Sequence, residues 1–139
     1  MIEIKVNRDQ LGKFTSKLGG MVVRLKDGNP FFRRAAIEMY RGVIQNFNHE
    51  SGPEGKWKAL KKKRERGGGK ILQDRGFLRG SILFHAEKNN AIVSTNLIYA
   101  ATHQYGRRFI PARPFMWISD KLRDSLTDRY GKFVAQGGS

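Results

Sequence analysis

Cysteine is absent from the 139 residues. That excludes disulfides, cysteine nucleophiles, iron-sulfur ligation and thiolate zinc sites, and it fits a reducing compartment. Histidine is scarce, with three widely separated residues, His49, His85 and His103, and none has a second histidine three or four positions away. A metal or general-base motif built on paired histidines is therefore missing. No apolar run reaches the roughly 18 residues that a membrane-spanning helix needs, and Met1-Ile2-Glu3-Ile4-Lys5 lacks the shape of a signal peptide, so no membrane association is expected. Acidic residues are few as well: 12 Asp and Glu stand against 27 Lys and Arg, a net charge of +15.

What is present suffices for an ordinary folded unit. A mass of 15.9 kDa and 39% hydrophobic residues predict one domain over residues 1–136, able to bury roughly two-thirds of its unfolded surface, with a frayed tail at 137–139. The charge is uneven. Between Lys56 and Gly80 lie ten basic residues and two acids, a surplus of eight out of the chain's fifteen. Such a segment attracts polyanions: nucleic acid, an anionic surface or an acidic protein. Lys61, Lys62, Lys63, Arg64 and Arg66, followed by Gly67-Gly68-Gly69-Lys70, contain no apolar residue that could join a core. A mobile basic loop over 61–70 is expected, contacting phosphates through charge alone.

Periodicity predicts an α+β fold. Ile2 to Val6 alternates as a strand, and a 3.6-residue apolar stripe from Asp9 to Leu25 predicts a first long helix. Asn29-Pro30 then opens a second, with Phe32, Ala35, Ala36, Met39, Val43 and Phe47 on one face. A turn-rich stretch anchored by Trp57 follows, then a short helical turn near Gly76. Two β-rich runs, 81–86 and 91–95, flank Glu87-Lys88-Asn89-Asn90 as a hairpin. Asn96 is expected to cap a short helix closed by Gly106. Pro111 and Pro114 make residues 107–116 an extended arm, and Ser119-Asp120 opens a C-terminal helix. The resulting expectation is two long N-terminal helices, a small antiparallel sheet containing the hairpin, and a C-terminal helix packed on one face.

No arrangement of these residues spells a catalytic centre. Asp120, Asp124 and Asp128 recur every four residues, but interleaved Lys121, Arg123 and Arg129 predict a solvated, salt-bridged helix face. Gly67-Gly68-Gly69-Lys70 lacks the spacing and the Ser or Thr of a phosphate loop. Ser81 and His85 lack a nucleophile-elbow context. No cofactor is expected.

Four blocks do carry information in their order: Pro53-Glu54-Gly55-Lys56-Trp57-Lys58-Ala59-Leu60, Ile71-Leu72-Gln73-Asp74-Arg75-Gly76-Phe77-Leu78-Arg79-Gly80-Ser81-Ile82, Tyr99-Ala100-Ala101-Thr102-His103-Gln104-Tyr105-Gly106 and Ile110-Pro111-Ala112-Arg113-Pro114-Phe115-Met116. Together they resemble the phage virion morphogenesis (tail completion) family of tailed phages and prophages, including Mu-like phages. Arg75 stands where threonine is frequent in that pattern, and the loop after Leu60 is more basic than expected.

The resemblance implies a non-enzymatic structural protein of the virion neck. It would work as a homo-oligomer, expected to be a hexameric ring, that joins the tail to the DNA-filled head beside other neck and tail proteins. The head-tail junction is the implied location, and the host cytoplasm the place of assembly. Two alternatives stay open: a tail-terminator ring capping the tail tube, and a basic DNA-binding accessory protein. For a ring, aromatic and arginine residues together with apolar Ile110 are the expected subunit contacts, namely Trp57, Tyr105, Arg107, Phe109, Ile110, Arg113 and Phe115. Trp57 serves equally well as a core residue. The basic residues Lys61, Lys62, Lys63, Arg64, Arg66 and Lys70 are the expected contacts to packaged DNA or another polyanion.

Overall fold

The computed structural model describes residues 2–7, 27–60, 70–73 and 76–136. The helix expected from Asp9 to Leu25 and most of the expected basic loop lie outside the described residues. The elements in chain order are β1 (Ile2–Asn7), α1 (Asn29–His49), β2 (Ser51–Gly52), β3 (Gly55–Lys56), α2 (Phe77–Gly80), β4 (Leu83–Ala86), β5 (Asn90–Thr95), α3 (Ala100–Tyr105) and α4 (Asp120–Gln136). The fold is thus mixed helix and sheet, with one long N-terminal helix among the described residues.

The N-terminal strand joins the hairpin, as its alternation predicts, in a sheet of order β1-β5-β4. Glu87 N–H donates to the Asn90 carbonyl and closes the turn between β4 and β5. β4 starts two residues later than its apolar run because Ser81 terminates α2 instead. Its amide and hydroxyl both donate to the Leu78 carbonyl, at 3.1 and 2.6 Å. The turn-rich stretch after α1 contains a hairpin unforeseen from the sequence, with Ser51 opposite Lys56 and Gly52 opposite Gly55.

The residues gather into two compact units. One comprises Met1–Ile4, Tyr40–Leu83 and Ser94–Trp117. Its centre is Phe47, whose ring meets Trp57 edge-on at 5.8 Å and Phe115 at 5.5 Å, with Val43, Leu78, Ile82, Ala100 and Met116 also buried in this unit. The other comprises Lys5–Met39, Phe84–Val93 and Ile118–Ser139. Here the start of α1 meets α4. Phe31 and Phe32 pack on Tyr130 at 5.1 and 5.5 Å, and Phe31 packs on Phe133 at 6.0 Å. Such tilted aromatic contacts add a few tenths to about 1.5 kcal/mol each beyond their apolar burial.

Two expectations fail for physical reasons. Asn96 does not cap α3. Tyr99 occupies the cap position without a side-chain bond, and the Thr95 hydroxyl accepts the Leu97 amide instead. The salt-bridged face on α4 is also absent among the described residues. Arg129 reaches across to Glu38 at 2.7 Å, a partner on another helix that sequence spacing along α4 cannot reveal.

Candidate interaction surface

The arm between α3 and α4 has two parts with opposite characters. Residues 111–117 have no regular hydrogen-bond ladder, since prolines remove two donors, yet their buried backbone must be satisfied. Side chains do this. Gln104 on α3 receives the amides of Phe115 and Met116 on its Oε1, both at 3.0 Å, and returns its Nε2 to the Met116 carbonyl at 3.2 Å. Asn46, on the buried face of α1, donates to the carbonyls of Phe115 and Trp117 at 2.8 and 3.0 Å. Trp57 Nε1 donates to the Pro114 carbonyl at 2.7 Å, and Trp117 Nε1 donates to the Ser51 carbonyl at 3.1 Å.

Arg113 is 8% exposed. Its Nε and Nη2 donate to the carbonyls of Lys58 and Ala59 at 2.8 and 3.2 Å, and its amide donates to the His103 carbonyl. Phe115 is fully buried and Trp57 is 6% exposed. Trp57 and Phe115, grouped on sequence grounds with the subunit contacts, are enclosed by their own unit and present no surface to a neighbour, whereas Arg113, grouped with them, is held by those carbonyls and also lines a cleft.

The tip of the arm, by contrast, faces outward. Gly106 follows α3 at φ 78° and ψ 162°. A Cβ there would stand 2.8 Å from the Ala112 nitrogen and 3.0 Å from the Ile110 oxygen, so glycine is required both by angle and by space. Arg107 and Ile110 then exchange two backbone hydrogen bonds at 2.9 and 2.7 Å. This closes a tight turn whose residue Arg108 adopts φ 48°. Phe109 projects from the turn 89% exposed, flanked by Tyr105 at 72% and Ile110 at 42%; Arg107 is exposed too.

Beside the tip is a cleft of about 290 Å³ lined by Lys58, Ala59, Arg108, Phe109, Pro111 and Arg113. Arg107, Phe109 and Ile110 are thus exposed on one turn, and Tyr105 is exposed at the end of the helix that leads into it. Lys70 is exposed, and the expected polyanion contacts Lys61, Lys62, Lys63, Arg64 and Arg66 lie outside the described residues. Sequence reasoning misses Asn46, Gln104 and Trp117. Asn46 carries a signal, as a polar residue one step from Phe47 on an otherwise apolar helix stripe.

Among the described residues, no group of three His, Asp or Glu side chains is placed to hold a metal ion. No helix there is long and apolar enough to cross a membrane. Exposed apolar residues on a braced turn, with cations beside them, suit the binding of a macromolecular partner.

Residues 9–135 match the phage virion morphogenesis family. The chain is 38% identical over 126 residues to the Mu-like prophage FluMu G protein 2 of Haemophilus influenzae, covering 86% of each chain. It is 34% identical over 126 residues to FluMu G protein 1 of the same organism, covering 84% of each. No solved structure matches.

Proposed function

The chain belongs to the phage virion morphogenesis family, and from that premise we propose that it is a non-enzymatic structural protein that completes the tail and joins it to the DNA-filled head as one subunit of a ring. It acts at the head-tail junction of the virion after assembly in the host cytoplasm, beside other neck and tail proteins. The observation that carries this reading is the rigid presentation of Phe109, Tyr105 and Ile110. Phe109 and Ile110 sit outward on a turn held by two backbone hydrogen bonds, Tyr105 is exposed at the end of α3 just before it, and the turn is anchored to a segment that Gln104, Asn46 and Trp57 fix in place. A monomer gains nothing by exposing them, whereas a pre-ordered turn loses little entropy on docking.

Sedimentation together with negative-stain imaging tests the reading. A discrete oligomer with a closed ring outline is expected. A monomer that assembles only on added DNA would favour a DNA-binding accessory protein, the reading to which the +15 charge also lends weight. Within the ring reading, capping of the tail tube before joining is the alternative, and rings found on isolated tails lacking heads would favour it.

A further inference from the structure

The chain carries two surfaces of opposite character. The first is the cleft at the arm tip. Its lining combines the cations Lys58, Arg108 and Arg113 with Ala59, Phe109 and Pro111, and includes no acid among the described residues. The guanidinium of Arg113 is engaged by the carbonyls of Lys58 and Ala59, so Lys58 and Arg108, both exposed, are the cations turned outward. The second surface is on α4. Asp120, Asp124 and Asp128 are exposed and follow one another at single helical turns, about 6 Å apart along the axis. Lys121, Arg123 and Lys132 share the helix, but no ion pair joins them to these aspartates among the described residues. Arg129 is held by Glu38 at 2.7 Å. Three of the chain's 12 acids are thus gathered on one stripe, unpaired among the described residues.

Copies of a protein with a charge of +15 repel one another wherever they meet at random. Association requires that a positive patch land on one of the few acidic places. We infer that the cleft beside Phe109 in one copy seats on the Asp120, Asp124 and Asp128 stripe of α4 in a second copy, so that subunits join head to tail. Lys58 and Arg108 face the carboxylates, and Phe109 packs on the apolar stems between them. Duplex DNA fits this cleft less well. It would satisfy the two cations through its phosphates but offers Phe109 and Pro111 little apolar surface beside them, because its outer face is mostly phosphate and sugar and its base faces are stacked inside. The two patches are different, so each copy that docks its tip leaves its own α4 stripe open to the next, the condition for a ring or filament rather than a closed pair. This inference rests on the ring reading above and names the faces that would form it.

The test uses the full chain in two charge-reversed forms, a tip variant (Lys58→Glu with Arg108→Asp, aspartate being tolerated at the left-handed position of Arg108) and a stripe variant (Asp124→Lys with Asp128→Lys). Circular dichroism checks that both stay folded. Sedimentation at low salt is expected to show an oligomer for the parent and monomers for each variant. An equal mixture of the two variants is expected to recover the large assembly with the two forms alternating, since the intact tip of one meets the intact stripe of the other and the reversed tip meets the reversed stripe. A chain bearing all four changes should regain the large assembly.

The milder single changes Lys58→Ala and Asp124→Asn make few demands on the fold, and each is expected to weaken assembly about tenfold. A parent that stays monomeric would overturn this inference together with the ring reading. A parent ring with unaltered assembly in every variant would overturn the inference alone. Variants that keep the oligomer but lose DNA retention would overturn it in favour of nucleic acid as the occupant of the cleft.

Discussion

The indole nitrogen of Trp57 donates to the carbonyl of Pro114 at 2.7 Å, while the ring itself packs edge-on against Phe47. One side chain therefore ties the stretch after the small β2-β3 hairpin to the proline-rich arm and seals the core beneath it. Trp57→Phe removes the donor and, the phenyl ring being smaller than the indole, part of the packing. It is expected to lower stability by about 2–4 kcal/mol, the combined cost of a part-buried carbonyl without its partner and of the space left beside Phe47. Urea denaturation with an unchanged m-value measures it.

Gly106 controls where the arm leaves α3. Its φ of 78° and the 2.8 Å approach that a Cβ would make to the Ala112 nitrogen act in the same direction. Gly106→Ala is expected to cost about 1–3 kcal/mol. It should also displace the tip, so assembly falls even below the melting transition; sedimentation of the folded variant reads this directly.

Phe109 and Phe115 lie six positions apart and answer to different forces. Phe115→Ala removes a fully buried ring beside Phe47 and is expected to destabilise by about 3–5 kcal/mol. Phe109→Ser removes a ring that is 89% exposed and is expected to change stability by no more than about 0.5 kcal/mol, yet to leave a smaller species in sedimentation. A Phe109→Ser protein that melts like Phe115→Ala would place Phe109 in the core and remove it from the interface.

Much of this architecture is legible in the chain. Asn29-Pro30 and the stripe from Phe32 to Phe47 specify α1, and Glu87 to Asn90 specifies the hairpin turn, because local propensity and apolar spacing act over a few residues. The arm is legible only as extended. That its residues 111–117 are internal depends on Asn46, Gln104 and Trp57, which lie 11 to 71 positions away from their partners in sequence, and no periodicity encodes such pairings. The same holds for Arg129, whose partner Glu38 is on α1. Of the expected contact residues, those with purely apolar or aromatic side chains give no sign in the sequence of whether they are internal, as Phe115 is, or outward, as Phe109 is.

The run Lys61, Lys62, Lys63 and Arg64 concentrates charge where no apolar residue can anchor it. Replacing all four with Ser is expected to leave the melting temperature nearly unchanged and to weaken association with duplex DNA. Each phosphate that the variant no longer neutralises makes the negative slope of log affinity against log salt shallower by about 0.9, which a salt titration of DNA retention reads. Loss of folding would instead assign the segment a structural part.

The most direct measurement of the central claim is made in a phage or prophage that carries this gene. With the gene interrupted, induced lysates viewed by electron microscopy are expected to contain DNA-filled heads and separate tails, and adding the purified parent protein should convert them to joined virions, whereas Phe109→Ser should not. Normal joined virions from the interrupted gene, or heads that fail to fill with DNA, would contradict the account.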